Sequence, residues 1–164
     1  MTLSRLIATW FGAGLLRPAP GTWGTLAALP CAWALHVGGG FALLALGTVA
    51  VFLLGWWVAA LETRESPDPD PSEIVIDEVA GMWLALWPVS LGAQIMGADI
   101  LRLWPGWVVA FLAFRAFDIL KPGPAGWADR LHTPLGLMLD DIFAGLMAAI
   151  VVVGAAALAH GVLM

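Results

Sequence analysis

Long apolar runs separated by two short polar segments dominate the chain. Between Pro18 and Leu61 there is no Asp, Glu, Lys or Arg. That stretch is far longer than the roughly 20 residues one bilayer span needs. His36 and Gly38-Gly39-Gly40 divide it, predicting spans over 25–37 and 41–60. Further runs at 79–96, 103–120 and 142–164 bring the hydrophobic segments to five. The first of the five is short enough to be tilted, re-entrant or interfacial. Ahead of it, Leu3, Leu6, Ile7, Trp10 and Phe11 recur at helical spacing, predicting an N-terminal helix lying in the membrane interface over 1–11. A secretory signal would need a charged, an apolar and a small-residue region in that order, and this order is absent. In the polar segment 62–73, Pro67, Pro69 and Pro71 favour extended backbone, with Ser72 or Asp70 capping a helix that starts near Glu73. The second polar segment, 121–134, is broken by Pro122, Gly123, Pro124 and Pro134. No internal repeat is visible. The expected fold is a single all-α domain over 1–164, an integral membrane bundle of four to five hydrophobic helices with an N-terminal interfacial helix.

Composition sharpens this picture. The chain is 61% hydrophobic and 12% charged, against about 25% charged in soluble domains. A net charge of -5 argues against nucleic acid as a partner. Cys31 is the only cysteine, which rules out a disulfide framework or thiolate cluster, and its place inside a span predicts a buried, inert thiol. Of the ten Trp, Trp23, Trp56, Trp57, Trp104 and Trp107 fall near span ends, where an interfacial belt is expected. Trp33, Trp83 and Trp87 are expected to pack inside. Five crossings from an inside N-terminus place Arg5, Arg17, Arg64, Lys121 and Arg130 on the cytoplasmic side and Arg102 alone opposite, satisfying the positive-inside rule.

The same topology gathers the acidic pairs Asp77-Glu78 and Asp140-Asp141 on the cytoplasmic side. Each pair borders an apolar run, where desolvating a carboxylate is costly unless it has a task. A divalent cation is the simplest agent that holds several carboxylates together. Asp77-Glu78 opens a span, near the positive end of a helix dipole. Asp140-Asp141 is expected to open the last span, with Gly136 and Gly145 one turn to either side to let helices approach. Arg115, Asp118 and Lys121, three apart, share one helical stripe: an acidic ligand flanked by two phosphate-binding cations. Pro20-Gly21-Thr22 reads as a turn capped by Thr22, whose backbone N–H groups can hold an anion. His132 is a candidate proton donor. His36 and His160 are given no role, and Asp68-Pro69-Asp70 lacks the preceding strand a phosphotransferase aspartate would need.

Four ordered blocks then carry a resemblance. They are Pro20-Gly21-Thr22-Trp23-Gly24-Thr25, Ile74-Val75-Ile76-Asp77-Glu78-Val79-Ala80-Gly81-Met82-Trp83, Phe114-Arg115-Ala116-Phe117-Asp118-Ile119-Leu120-Lys121-Pro122, and Gly136-Leu137-Met138-Leu139-Asp140-Asp141-Ile142-Phe143-Ala144-Gly145. The chain resembles phosphatidylglycerophosphatase A over nearly its whole length, although Thr133-Pro134 stand where the family often has glycines. The resemblance implies an Mg²⁺-dependent phosphatase of the bacterial inner membrane that converts phosphatidylglycerophosphate to phosphatidylglycerol. It implies acidic positions at Asp77, Glu78, Asp118, Asp140 and Asp141 and basic ones at Arg115 and Lys121. On this reading Asp140, Asp141, Asp118 and one of Asp77 and Glu78 hold one or two Mg²⁺, and the other member of that pair handles the attacking water. Arg115, Lys121 and the turn at Gly21-Thr22 grip the phosphate. The acyl tails stay in the bilayer, and a homo-oligomer is left open. A small cation transporter or channel subunit is the rival from another class; it would spread its carboxylates through the span depth.

Overall fold

The computed structural model describes residues 1–64 and 71–163. The extended segment expected at Pro67 and Pro69, the Asp70 cap and Asp68-Pro69-Asp70 lie outside them. The described residues form helices α1 (Leu3–Ala8), α2 (Pro20–Glu62), α3 (Ile76–Ala85), α4 (Trp87–Met96), α5 (Trp104–Leu120), α6 (Pro124–Asp129) and α7 (Pro134–Leu163), with short 3-10 turns at Ala13–Leu15 and Ile100–Leu103. Four stretches are long and apolar enough to cross a membrane: α2, α3 with α4, the second 3-10 turn with α5, and most of α7.

With 43 residues, α2 would be about 65 Å long if straight, twice a bilayer core. It is not straight. Gly39 and Gly40 leave helical geometry, and Gly40 takes φ 65°, ψ -157°, a region open essentially to glycine. The chain doubles back there, so α2 is two antiparallel arms and the five expected segments are present. A Cβ on Gly24, in the first arm, would lie 2.6 Å from the Val75 side chain, and one on Gly55, in the second, 3.2 Å from that of Ile76. Both arms therefore return to the same end of the bundle. At the opposite end, the Phe41 N–H donates to Gln94 Oε1 at 2.8 Å and His36 Nδ1 lies 2.7 Å from Ser90 Oγ, which ties the apex to α4.

At the centre stands α3, where only Glu78 falls short of full burial. It bends into α4 at Leu86, where Pro88 removes a backbone donor from the helical ladder. Both arms of α2 and α7 pack around α3, and α5 closes against α7. Trp83 and Trp87 pack inside as expected, donating to the Ala28 carbonyl at 2.9 Å and Thr48 Oγ1 at 3.1 Å. Trp23, Trp56, Trp57 and Trp104 are exposed. Trp33 is exposed too, contrary to expectation. Cys31 is half-buried rather than enclosed.

Four boundaries differ from those expected. Only six residues are helical in α1; beyond it Trp10 takes a positive φ and turns edge-on against Trp83, ring centroids 5.7 Å apart. Helix α3 starts at Ile76 rather than near Glu73, because the Val75 N–H is drawn to the Ala8 carbonyl at 2.9 Å and the preceding residues form a turn. The loop after Lys121 contains α6, where Pro124 initiates a helix instead of breaking one. Likewise α7 begins at Pro134, so Asp140-Asp141 lies about two turns inside the helix, not at its mouth.

At their contact α3 and α7 approach backbone to backbone. A Cβ on Gly81 would fall 2.5 Å from the Asp141 carbonyl oxygen, and one on Gly145 2.3 Å from the Gly81 carbonyl oxygen. Gly154, on the same helix, has nothing within 4 Å. Gly145→Val should therefore lower stability by about 1–3 kcal/mol or more, while Gly154→Val should leave it near wild type. Thermal unfolding in detergent micelles checks this, and equal melting temperatures would refute the close contact.

Candidate active site

The close approach of α3 and α7 sets Asp77 and Asp141 at one level, each one turn before its glycine. Asp77 and Glu78 lie in the first turn of α3, where the helix dipole favours negative charge. One carboxylate oxygen each from Asp77, Glu78 and Asp141 come within 4.8 Å of one another. Asp77, Asp140 and Asp141 are buried, and Glu78 Oε2 is enclosed without a hydrogen-bond partner. Asp77 Oδ1 accepts from the Glu78 N–H at 3.0 Å and Asp140 Oδ1 from the Asp141 N–H at 2.9 Å, fixing both pairs against the backbone.

One wall is α5. Arg115 and Asp118, three residues apart on one face, form an ion pair. Arg115 Nη1 also stands 4.0 Å from Glu78 Oε1 and 3.5 Å from Thr25 Oγ1. Asp118 lines the same cleft as Asp141. Lys121 ends α5 in a left-handed conformation, φ 46°, which costs a non-glycine residue about 1 kcal/mol or more and turns the chain toward α6. Its Nζ lies 2.5 Å from both Asp129 Oδ1 and Asp140 Oδ2. Partial burial opposes its charge, but the hydrogen bonds it donates to Asp129 and Asp140, and their charges, outweigh burial and hold the ammonium well above the usual lysine range. Lys121 therefore stays cationic at any physiological pH.

The opposite wall is the start of α2. Gly21 and Thr22 are not a turn ahead of a helix but its first turn: Pro20 opens α2 and Ala19, not Thr22, is the cap. The absence of a side chain at Gly21 matters, since a Cβ there would sit 2.2 Å from Glu78 Oε1. Gly21 lines the cleft and Thr22 does not. The cleft holds about 330 Å³ and is bounded by Asp77, Glu78, Arg115, Asp118, Lys121, Asp140 and Asp141 together with Gly21, Ser72 and Ile119. Every acidic and basic candidate thus meets in one place. His132 stays outside, exposed, 2.9 Å from the Arg130 carbonyl.

Three residues were not singled out by sequence. Thr25 donates to the Gly21 carbonyl at 2.7 Å and meets Arg115; its place one turn after Gly21 was the available signal. Asp129 pairs with Lys121 only because α6 folds back, which leaves no mark in the sequence, and Ser72, expected only as a helix cap, enters from the turn before α3.

The donors suit Mg²⁺. They are carboxylate oxygens, which hard divalent cations prefer, and the buried Glu78 Oε2 lacks a partner. Five carboxylates face two cations in the cleft, so an added positive charge would relieve repulsion.

The chain matches the family model described as phosphatidylglycerophosphatase A over residues 6–156. It is similar to phosphatidylglycerophosphatase A of Haemophilus influenzae, 37% identical over 90% of this chain and 85% of that protein. It is also similar to phosphatidylglycerophosphatase A of Escherichia coli, 35% identical over 88% of this chain and 78% of that protein. A putative phosphatidylinositol-3-phosphatase of Bacteroides thetaiotaomicron is 34% identical over 90% and 89%. No solved structure matches. A match across nearly every helix, with the acidic and basic blocks converging on one cleft, shows that the chain belongs to the phosphatidylglycerophosphatase A family.

Proposed function

We propose that this protein is an Mg²⁺-dependent lipid phosphatase that hydrolyses phosphatidylglycerophosphate to phosphatidylglycerol and phosphate, as a step of phospholipid synthesis at the bacterial inner membrane. The observation that carries the reading is the juxtaposition of the Asp77, Glu78 and Asp141 carboxylates with Arg115 and Lys121 in one cleft. Arg5, Arg17, Arg64, Lys121 and Arg130 cluster in the segments at this end, which supports a cytoplasmic opening.

Asp77, Glu78 and Asp141 would hold the metal, with Asp118 and Asp140 completing the acidic shell. Bound there, Mg²⁺ would neutralise the phosphoryl oxygens and acidify a water. Arg115 offers the phosphate a planar fork, and Lys121 a point charge. Both are already oriented, Arg115 by Asp118 and Thr25, Lys121 by Asp129 and Asp140. Glu78 directs Oε1 toward Arg115, where it would accept the proton of the attacking water, leaving the enclosed Oε2 to the metal. Phosphoryl transfer demands positioning and charge stabilisation more than covalent chemistry, and this cleft offers both. A cation transporter is disfavoured: the carboxylates gather at one end of the bundle, and Arg115 and Lys121 would repel a free cation while suiting a phosphate.

Purified protein should release phosphate from phosphatidylglycerophosphate with Mg²⁺ or Mn²⁺ and lose that activity in excess chelator. Phosphatidylinositol 3-phosphate, the lipid in the name of the Bacteroides relative, should be cleaved at least tenfold more slowly. Full activity without divalent ions would make the acidic cluster structural.

Asp141→Asn should cut turnover by about 100- to 1,000-fold. Removing one negative charge from a crowded cluster relieves repulsion, so the metal-free protein should melt no lower than wild type. Near-normal rates at saturating Mg²⁺ would remove Asp141 from the metal set.

Lys121 is nearer water than Arg115, with 28% against 15% of its side chain exposed. Lys121→Ala should chiefly raise KM. Arg115→Ala should lower kcat and also destabilise the bundle by about 3 kcal/mol, since Asp118 loses its ion-pair partner inside the fold. Steady-state kinetics with unfolding curves separates the two, and identical KM-only effects would contradict the assignment.

A further inference from the structure

The helices packed around α3 do not form a closed ring. The second arm of α2 touches α7, α7 touches α5, and both arms of α2 touch α3. Helix α5 leans on α7 and only lightly on α3, and makes at most marginal contact with α2. A seam is thus left between α5 and the first arm of α2. It opens directly from the polar cleft, whose rim there is Gly21 on one side and Ile119 on the other. The head of Arg115 crosses it, reaching Thr25. On the face of α5 that carries Arg115, Leu112 lies one turn deeper, at i−3, and Ile119 one turn nearer the cleft mouth, at i+4, and both are exposed. Leu29 lies one turn beyond Thr25 on the facing arm.

Resting on the phosphatase reading, we infer that this seam is a lateral portal that seats the acyl chains of the substrate lipid while its phosphate enters the cleft. A lipid phosphate rising into the cleft from above would have to drag its chains out of the bilayer, and every methylene resists that transfer. Through the seam the chains never leave the hydrocarbon layer. Charge and depth agree: the guanidinium stands where the phosphate must pass, and the apolar face begins one turn deeper. The groove is therefore amphipathic in the order of a phospholipid, anion first and hydrocarbon after. An apolar hollow of about 220 Å³ between Phe52, Leu84, Trp87 and Ile142 involves none of the cleft residues and has no such polar end.

The test uses the full-length protein in vesicles with two readouts. In the first, a photoreactive phenylalanine analogue replaces Leu112 or, as control, the exposed Leu158 of α7, and the vesicles contain phosphatidylglycerophosphate with alkyne-tagged chains. Cross-linking should be at least fivefold greater from 112 than from 158, and should fall when untagged substrate is added. Equal yields at the two positions overturn the portal. In the second, Leu29→Trp and Leu112→Trp narrow the seam, and each protein is given the two-chain lipid and its deacylated, water-soluble counterpart. The ratio of lipid to soluble turnover should drop at least tenfold in both variants and hold in Leu158→Trp; an unchanged ratio overturns the portal. If the wild type releases phosphate from neither compound, the phosphatase reading fails, and the cross-linking comparison alone upholds or overturns the seam.

Discussion

The contact on which the site depends is between two backbones. Gly81 and Gly145 let α3 and α7 meet with no side chain between them. Nothing larger fits, and a wider spacing would draw Asp77 and Asp141 apart. Each aspartate sits one turn from its glycine, so the residues that set the helix distance also set the height of the carboxylates. The arrangement has a cost. Buried carboxylates brought together repel, and burying an unpaired charge is unfavourable. Arg115 and Lys121 offset part of this through ion pairs with Asp118 and Asp140, while Glu78 retains an unpartnered oxygen. The remaining imbalance suits a hard divalent ion and, beyond it, the anionic group that such an ion and two cations would together receive.

Orientation of the two cations divides between rigid and folded-back parts of the chain. Arg115 is held from within its own helix by Asp118 and from across the seam by Thr25, itself anchored to the Gly21 carbonyl. Lys121 sits at a left-handed corner, and α6 exists to return Asp129 to it. This short helix packs Ala125 and Ala128 against α7 and so fixes the support it gives to one ammonium group.

Much of this was legible in the sequence. The five apolar segments, the break at the glycine triplet and the convergence of the acidic pairs with Arg115, Asp118 and Lys121 follow from hydropathy, charge and helical periodicity, which are local properties. What escaped was set by tertiary contact or by the double meaning of proline. Pro124 and Pro134 read as breaks, yet each supplies the fixed φ and missing N–H that suit the first turn of a helix, so α6 was missed and Asp140-Asp141 was placed at the mouth of α7. The start of α3 was misjudged because Ala8, 67 positions earlier, takes the Val75 N–H. Trp33 resembles a core residue in composition alone, and its side chain is exposed. Thr22 looked like a cap because threonine usually is one, but Pro20 starts the helix two residues sooner.

The turn at Gly39-Gly40 bears on how the chain enters the membrane. From Pro18 to Leu61 no formal charge interrupts it, so the two arms of α2 can insert together as a helical hairpin. Only its glycine apex must cross to the far side, and no hydrated ion has to be stripped of water on the way. The carboxylates enter later, Asp77 and Glu78 with α3, and Asp140 and Asp141 not until α7. Synthesis from the N-terminus therefore defers the assembly of mutually repelling charges until the apolar scaffold that must hold them is in place.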